Sequence, residues 1–199
     1  MSERTEILEP LIRQFPLGLP FKRYAAVREL KLRSGAGKLD LAVFTDEPGL
    51  LLIEAKFRRN ADAKDKVLGQ LVFYFAHALE CSSDEVIRAL RRAATHKANQ
   101  KDGYWNGQPR RPDEPMLDEI DRWIHKCMSR ELRPEVRALI ALDTWSNDRD
   151  DKRLLVPLRM LQQRGLPVAM ALSTGEITNP FKVPKRKTLT ASGRNTGTR

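Results

Sequence analysis

Apolar and polar positions alternate along this chain in patterns that define its elements. Leu8, Ile12 and Phe15 recur at helical spacing and predict a first helix over about 4 to 15. A strand is expected over 21 to 33. The runs Gly37 to Phe44 and Leu50 to Phe57 are apolar and β-prone, joined by Thr45-Asp46-Glu47-Pro48-Gly49, whose Pro-Gly pair marks a turn. They predict a hairpin over 37 to 57. A helix follows over 62 to 80, with Val67, Leu71, Val72, Phe73, Phe75 and Ala76 around it, so it should be packed on more than one side. Gln70, Tyr74 and His77 form a polar stripe on that helix, with Lys66 one turn earlier. Two helical patterns, Ser83 to Asn99 and Asp113 to Glu131, then interrupt the order and predict a helical insertion at about 82 to 133, with Ser83 and Asp113 as candidate starts. Glu135 to Thr144 reads as a strand, Arg153 to Arg164 as a helix and Leu166 to Ser173 as a final strand. The expected class is α/β, a mixed sheet flanked by helices in the order α-β-β-β-α, insertion, β-α-β.

Strand parity makes a sharper statement about the hairpin. Side chains alternate faces, so Glu54 and Lys56 share one, roughly 7 Å apart. If Phe44 pairs with Leu50, Asp40 falls opposite Glu54 at a Cβ separation of about 5 Å. A slip of one residue would move Asp40 to the other face and dismantle the group. The Leu50 to Ile53 run is apolar on both faces, which implies a buried central strand where charges need partners. Two facing carboxylates beside a lysine suit a hard divalent cation, which prefers carboxylate and carbonyl oxygens. Such an ion can polarise a phosphate while the lysine orients water or neutralises charge.

The segments Gly37-Lys38-Leu39-Asp40-Leu41, Leu52-Ile53-Glu54-Ala55-Lys56 and Gly69-Gln70-Leu71-Val72-Phe73-Tyr74 together resemble the PD-(D/E)xK nuclease superfamily. The resemblance covers about residues 5 to 80, and the strands after them weakly. It implies a restriction-endonuclease-like core, with Mg²⁺ (or Mn²⁺ as a substitute) held by Asp40, Glu54 and the backbone at Ala55. It also implies that Lys56 assists hydrolysis and Gln70 supports the site. Many members carry a glutamate on the first helix; Glu9 flanks the apolar stripe, whereas Glu6 points further from it, so Glu9 is preferred. The chain departs from the pattern in having Lys38-Leu39 where the superfamily's name has a proline.

Composition and charge narrow the partner. The 199 residues, 41% of them hydrophobic and 31% charged, suit a single globular domain over 1 to 180. The formal net charge is +10, and six of these charges (Lys182, Lys185, Arg186, Lys187, Arg194 and Arg199) lie in an acid-free segment from 181 to 199 that reads as a disordered basic tail. The insertion is basic as well: Arg88, Arg91, Arg92, Lys97, Lys101, Arg110 and Arg111 face the single acid Asp102 between positions 86 and 112. Trp105 either stacks on a nucleobase there or anchors a loop, and Tyr74 is either a core aromatic or faces substrate. Lys66, Tyr74, Arg88, Arg92, Trp105, Arg110 and Arg111 are therefore the candidate nucleic-acid contacts. Trp123 and Trp145 read as core or interface residues, and Cys81 and Cys127 as reduced thiols. No apolar run reaches the roughly 18 residues of a membrane span and the N-terminus lacks signal-peptide order, so a cytoplasmic protein is expected. The leading reading is a Mg²⁺-dependent endonuclease acting on DNA in restriction, repair, recombination or mobile-element defence. RNA, a homodimer and a larger nucleic-acid-processing complex stay open. The alternative is a catalytically silent nucleic-acid-binding or assembly module of the same fold.

Overall fold

The computed structural model describes residues 4–15, 17, 19, 21–33, 37–46, 49–57, 63–96, 99, 103–106, 108–128, 136–144 and 149–179. The basic tail and Trp145 lie outside them, as do Lys97, Lys101 and Asp102. The chain begins with a π-helical turn, Arg4–Leu8, that runs into a short helix α1 (Glu9–Arg13). Strands β1 (Tyr24–Leu30), β2 (Leu39–Thr45) and β3 (Leu50–Lys56) follow, then helix α2 (Ala63–Glu80). Next come α3 (Ser83–Ala94), β4 (Tyr104–Trp105), β5 (Gln108–Pro109) and α4 (Glu114–Met128). The chain continues through β6 (Val136–Leu142), α5 (Arg149–Gln163), β7 (Val168–Leu172) and β8 (Ile177–Asn179).

Among the described residues the strands form one mixed sheet of eight in the order β5-β4-β1-β2-β3-β6-β7-β8. Parallel pairing is confined to β3–β6 and β6–β7, and the other neighbours are antiparallel. Alternate side chains feed two cores. Leu41, Val43, Ile53, Ala55, Leu139 and Ala141 pack with Ile7, Leu8, Leu11 and Ile12 of the first helical segment. Ala42, Phe44, Leu50, Leu52, Ala138 and Ile140 pack with residues of α2, α3, α4 and α5. This two-sided covering explains why β3 and β6 are almost uniformly apolar and buried.

Three features depart from the sequence expectation. The strand expected over 21 to 33 is only β1, in which Glu29 adopts a left-handed backbone (φ 55°) that few non-glycine residues tolerate. The insertion is not purely helical: β4 and β5 extend the sheet beyond β1, pairing Ala25 with Trp105 and Ala26 with Tyr104. Further along that edge the fully buried Asn99 takes over, accepting from Arg28 N at 2.7 Å and donating to Arg28 O at 2.8 Å. One side chain thus satisfies two strand groups that would otherwise be unpaired. The third departure is β8, three residues too short to leave a periodic signal.

Capping chemistry sets the helix starts in the insertion. Ser82, one residue before the expected start, caps α3 through a capping box with Glu85. Asp113 accepts from Met116 N at 3.0 Å at the head of α4. Arg91 joins the two helices, donating to Glu114, Asp118 and Asp121 at 2.6–2.9 Å. This insertion cation is held within the fold. Among the described residues no helix is long and apolar enough to cross a membrane.

Candidate active site

The hairpin has the expected register: Phe44 pairs with Leu50 and Leu41 with Ile53. The loop that sets it is tight. Thr45 N donates to Gly49 O at 2.7 Å, Gly49 N donates to Thr45 Oγ1 at 2.7 Å, and Gly49 has a φ of 126° open only to glycine. At the other end of the ladder Asp40 Oδ2 accepts from Ala55 N at 3.0 Å. Asp40, Glu54 and Lys56 continue the parity of Ala42 and Leu52, on the face covered by α2. Glu54, only 3% exposed, accepts from Lys56 Nζ at 3.1 Å through Oε1. Its other oxygen, Oε2, is buried and has no hydrogen-bond partner among the described residues.

That environment opposes ionisation. Burial first, and then the neighbouring Asp40 charge, push the Glu54 pKa up to about 7, against the opposing pull of Lys56. A buried carboxylate with one unsatisfied oxygen beside a second carboxylate favours a further cation, since a divalent ion would offset both the desolvation and the repulsion. The described residues contain no group of three or more His, Cys, Asp or Glu side chains able to hold a metal. Two carboxylates and a backbone carbonyl still suit Mg²⁺, which usually retains several waters. The donor set therefore fits that ion.

Helix α2 roofs the pair with Tyr74, which is buried and donates from its hydroxyl to Lys38 O at 3.1 Å. Burial, then Glu54 and Asp40, raise its pKa to about 12, so it acts as a neutral donor. Tyr74 is thus a core aromatic with a satisfied hydroxyl, and the substrate-facing role is corrected accordingly. The chain at Gly37 passes so close that an added Cβ would stand 2.5 Å from the Tyr74 hydroxyl. Gln70 and Lys66, on the same helix, are exposed. No hydrogen bond joins Gln70 to the carboxylate pair among the described residues. His77 packs edge-on against Phe73, with ring centroids 4.3 Å apart.

Glu9 goes elsewhere. It accepts from the buried Arg28, with Glu9 Oε1 3.2 Å from Arg28 Nη2. Arg28 pairs with Leu41, whose side chain lies in the core under α1, so this ion pair belongs to the face opposite Asp40 and Glu54. The expectation that Glu9 joins them is corrected: it neutralises a buried guanidinium. Glu6 is exposed. Instead, a different acid stands near: Glu29 lies across from Asp40, between the Arg28–Leu41 and Leu30–Leu39 pairs, and binds Lys38 Nζ at 2.8 Å. Its left-handed backbone had no sequence signal.

The insertion residues divide. Arg88, Arg92 and Arg111 are exposed, and Arg110 pairs with Asp113 at 2.5 Å. Trp105 stacks on Trp123, with centroids 5.3 Å apart and planes within 7°, and the Arg23 guanidinium covers both rings. Trp123 thus takes one face of the Trp105 ring, packing the short strand β4 onto helix α4 within the insertion. No family model matches the chain, and neither a curated protein nor a solved structure does.

Proposed function

We propose that this protein is a metal-dependent nuclease of the PD-(D/E)xK kind, with a restriction-endonuclease-like core, hydrolysing DNA phosphodiester bonds at Asp40, Glu54 and Lys56. The observation that carries the reading is the buried Glu54 carboxylate, with Oε1 on Lys56 and Oε2 unpartnered beside Asp40. Asp40 and Glu54 would hold Mg²⁺ or Mn²⁺, with the Ala55 carbonyl as a third donor. When bound, the ion polarises the scissile phosphate and lowers the pKa of an attacking water. Lys56, fixed against Glu54, is placed to orient that water or neutralise phosphate charge. Asp40 is itself oriented by Ala55 N, and Tyr74 steadies the backbone at Lys38 two residues earlier. A net charge of +10 favours a polyanionic substrate over a small phosphate ester.

The test is incubation of the purified protein with supercoiled, linear, single-stranded and branched DNA, and with RNA, in Mg²⁺ and in chelator. Mg²⁺-dependent cleavage of a DNA substrate is expected. Binding without cleavage of any substrate would overturn the reading in favour of a silent nucleic-acid-binding module.

A further inference from the structure

A groove of about 570 Å³ lies where the chain leaves β1, walled on its other side by α3. Its lining is Lys31, Leu32, Arg33, Glu85, Arg88 and Arg92. Arg88 and Arg92 are one turn apart on α3, so their side chains share a face about 6 Å apart. Lys31 and Arg33 flank Leu32, which turns inward and is buried. Four cations thus meet one carboxylate. Glu85 is spent on Arg33 and on capping α3, while the guanidinium of Arg33 is also tied to the side chain and carbonyl of Glu80. Lys31, Arg88 and Arg92 are exposed and have no ion-pair partner among the described residues. Three cations are left to address a ligand, on a wall that Arg33 braces.

The lining also selects the ligand's chemistry. It contains no aromatic ring, and its single apolar side chain is covered, so it offers no aromatic platform for a base and presents chiefly positive charge. Cations spread over a strand exit and a helix turn suit successive charges along a polymer. The place agrees: Leu30, just before Lys31, pairs with Leu39, just before Asp40. Arg33 grips the end of α2 at Glu80, and Tyr74, six residues earlier and so about 9 Å along the helix, reaches Lys38 beside the carboxylates.

We propose that this groove binds the sugar-phosphate backbone of the nucleic acid on its way to Asp40 and Glu54, through Lys31, Arg88 and Arg92, without reading base sequence. The inference rests on the nuclease reading. It replaces the Trp105-centred clamp with a surface that includes Lys31, which lies outside the insertion.

Binding is measured in full-length protein carrying Glu54→Gln, so that no product forms. The probe is a labelled oligonucleotide of about 20 nucleotides in two unrelated sequences, titrated across salt by fluorescence anisotropy. Adding Lys31→Ala, Arg88→Ala and Arg92→Ala should weaken binding about tenfold or more at low salt and cut the log–log salt slope by about 2, equally for both sequences. Arg88→Lys with Arg92→Lys should restore most of the affinity, because a phosphate accepts a point charge. Arg153→Ala with Arg159→Ala, exposed on α5, should leave the slope nearly unchanged. Three results would each overturn the inference: a triple variant no weaker than the α5 control, a loss confined to one sequence, or displacement of the probe by a nucleoside triphosphate as readily as by unlabelled oligonucleotide. Groove-dependent binding in a protein whose unmutated form never cleaves would overturn the nuclease reading alone. Cleavage with groove-independent binding would overturn this inference alone.

Discussion

Asp40 Oδ2 accepts the backbone N–H of Ala55 at 3.0 Å, so a candidate metal ligand also closes the end of the β2–β3 ladder. The two roles separate by substitution. Asp40→Asn keeps an acceptor and should change stability by less than about 1 kcal/mol, whereas Asp40→Ala leaves Ala55 N unpaired and should cost about 1–2 kcal/mol in denaturant titration. Both should abolish cleavage. An Asn variant as unstable as the Ala variant would show that the hydrogen bond does not hold the ladder.

Gly37 and Tyr74 form a pair that a double-mutant cycle can test. A methyl at Gly37 would collide with the Tyr74 hydroxyl but meet the ring carbons only at 3.5 Å or more, an ordinary contact. Gly37→Ala alone should cost about 1–3 kcal/mol. Tyr74→Phe removes the colliding atom, so the double variant should be more stable than the sum of the single losses predicts. Strict additivity would contradict the observed approach.

Glu54 predicts a pH dependence of stability without metal. Its folded pKa of about 7 lies above the ordinary 4.5, so the folded state holds the proton more tightly than the unfolded chain. The stabilising contribution is complete below about pH 4.5 and is lost as pH rises through 7, at a scale of roughly 3 kcal/mol. Glu54→Gln should flatten this slope. Mg²⁺ needs the ionised form, so it should raise Tm more at pH 8 than at pH 6 (about one unit either side of that pKa) and do nothing for Glu54→Gln. Equal Tm shifts at both pH values would place the ion elsewhere.

Trp105→Ala should act on stability, not binding. Removing one ring of the Trp105–Trp123 stack should cost about 3 kcal/mol, with a change in intrinsic fluorescence, while oligonucleotide affinity in folded protein stays within about twofold. An affinity loss at unchanged Tm would return Trp105 to the substrate surface.

The hairpin and its carboxylates were legible because two local constraints agree: strand alternation puts Glu54 and Lys56 on one face, and the Thr45-to-Gly49 loop sets which residues meet across it. What escaped depends on distant partners. The sequence places Glu9 beside the apolar face of the first helix, but only the fold shows that Arg28 waits on that side as a buried charge. That one face of Trp105 is taken by Trp123, eighteen positions on, shows only in the fold. Asn99 completes a strand edge 71 residues away, and Glu29 takes a backbone conformation its residue type disfavours; neither leaves a periodic trace. Lys31 and Arg33 were hidden within an expected strand that in fact ends at Leu30.

The central claim is that Asp40, Glu54 and Lys56 perform metal-dependent phosphodiester hydrolysis. Single-turnover cleavage of a labelled DNA substrate in Mg²⁺, with unmutated protein and with Glu54→Gln and Lys56→Ala, tests it most directly. The account predicts cleavage by the unmutated protein and a loss of about 10²-fold or more in each variant, with DNA affinity largely kept. Undiminished cleavage by purified, folded Glu54→Gln would contradict it.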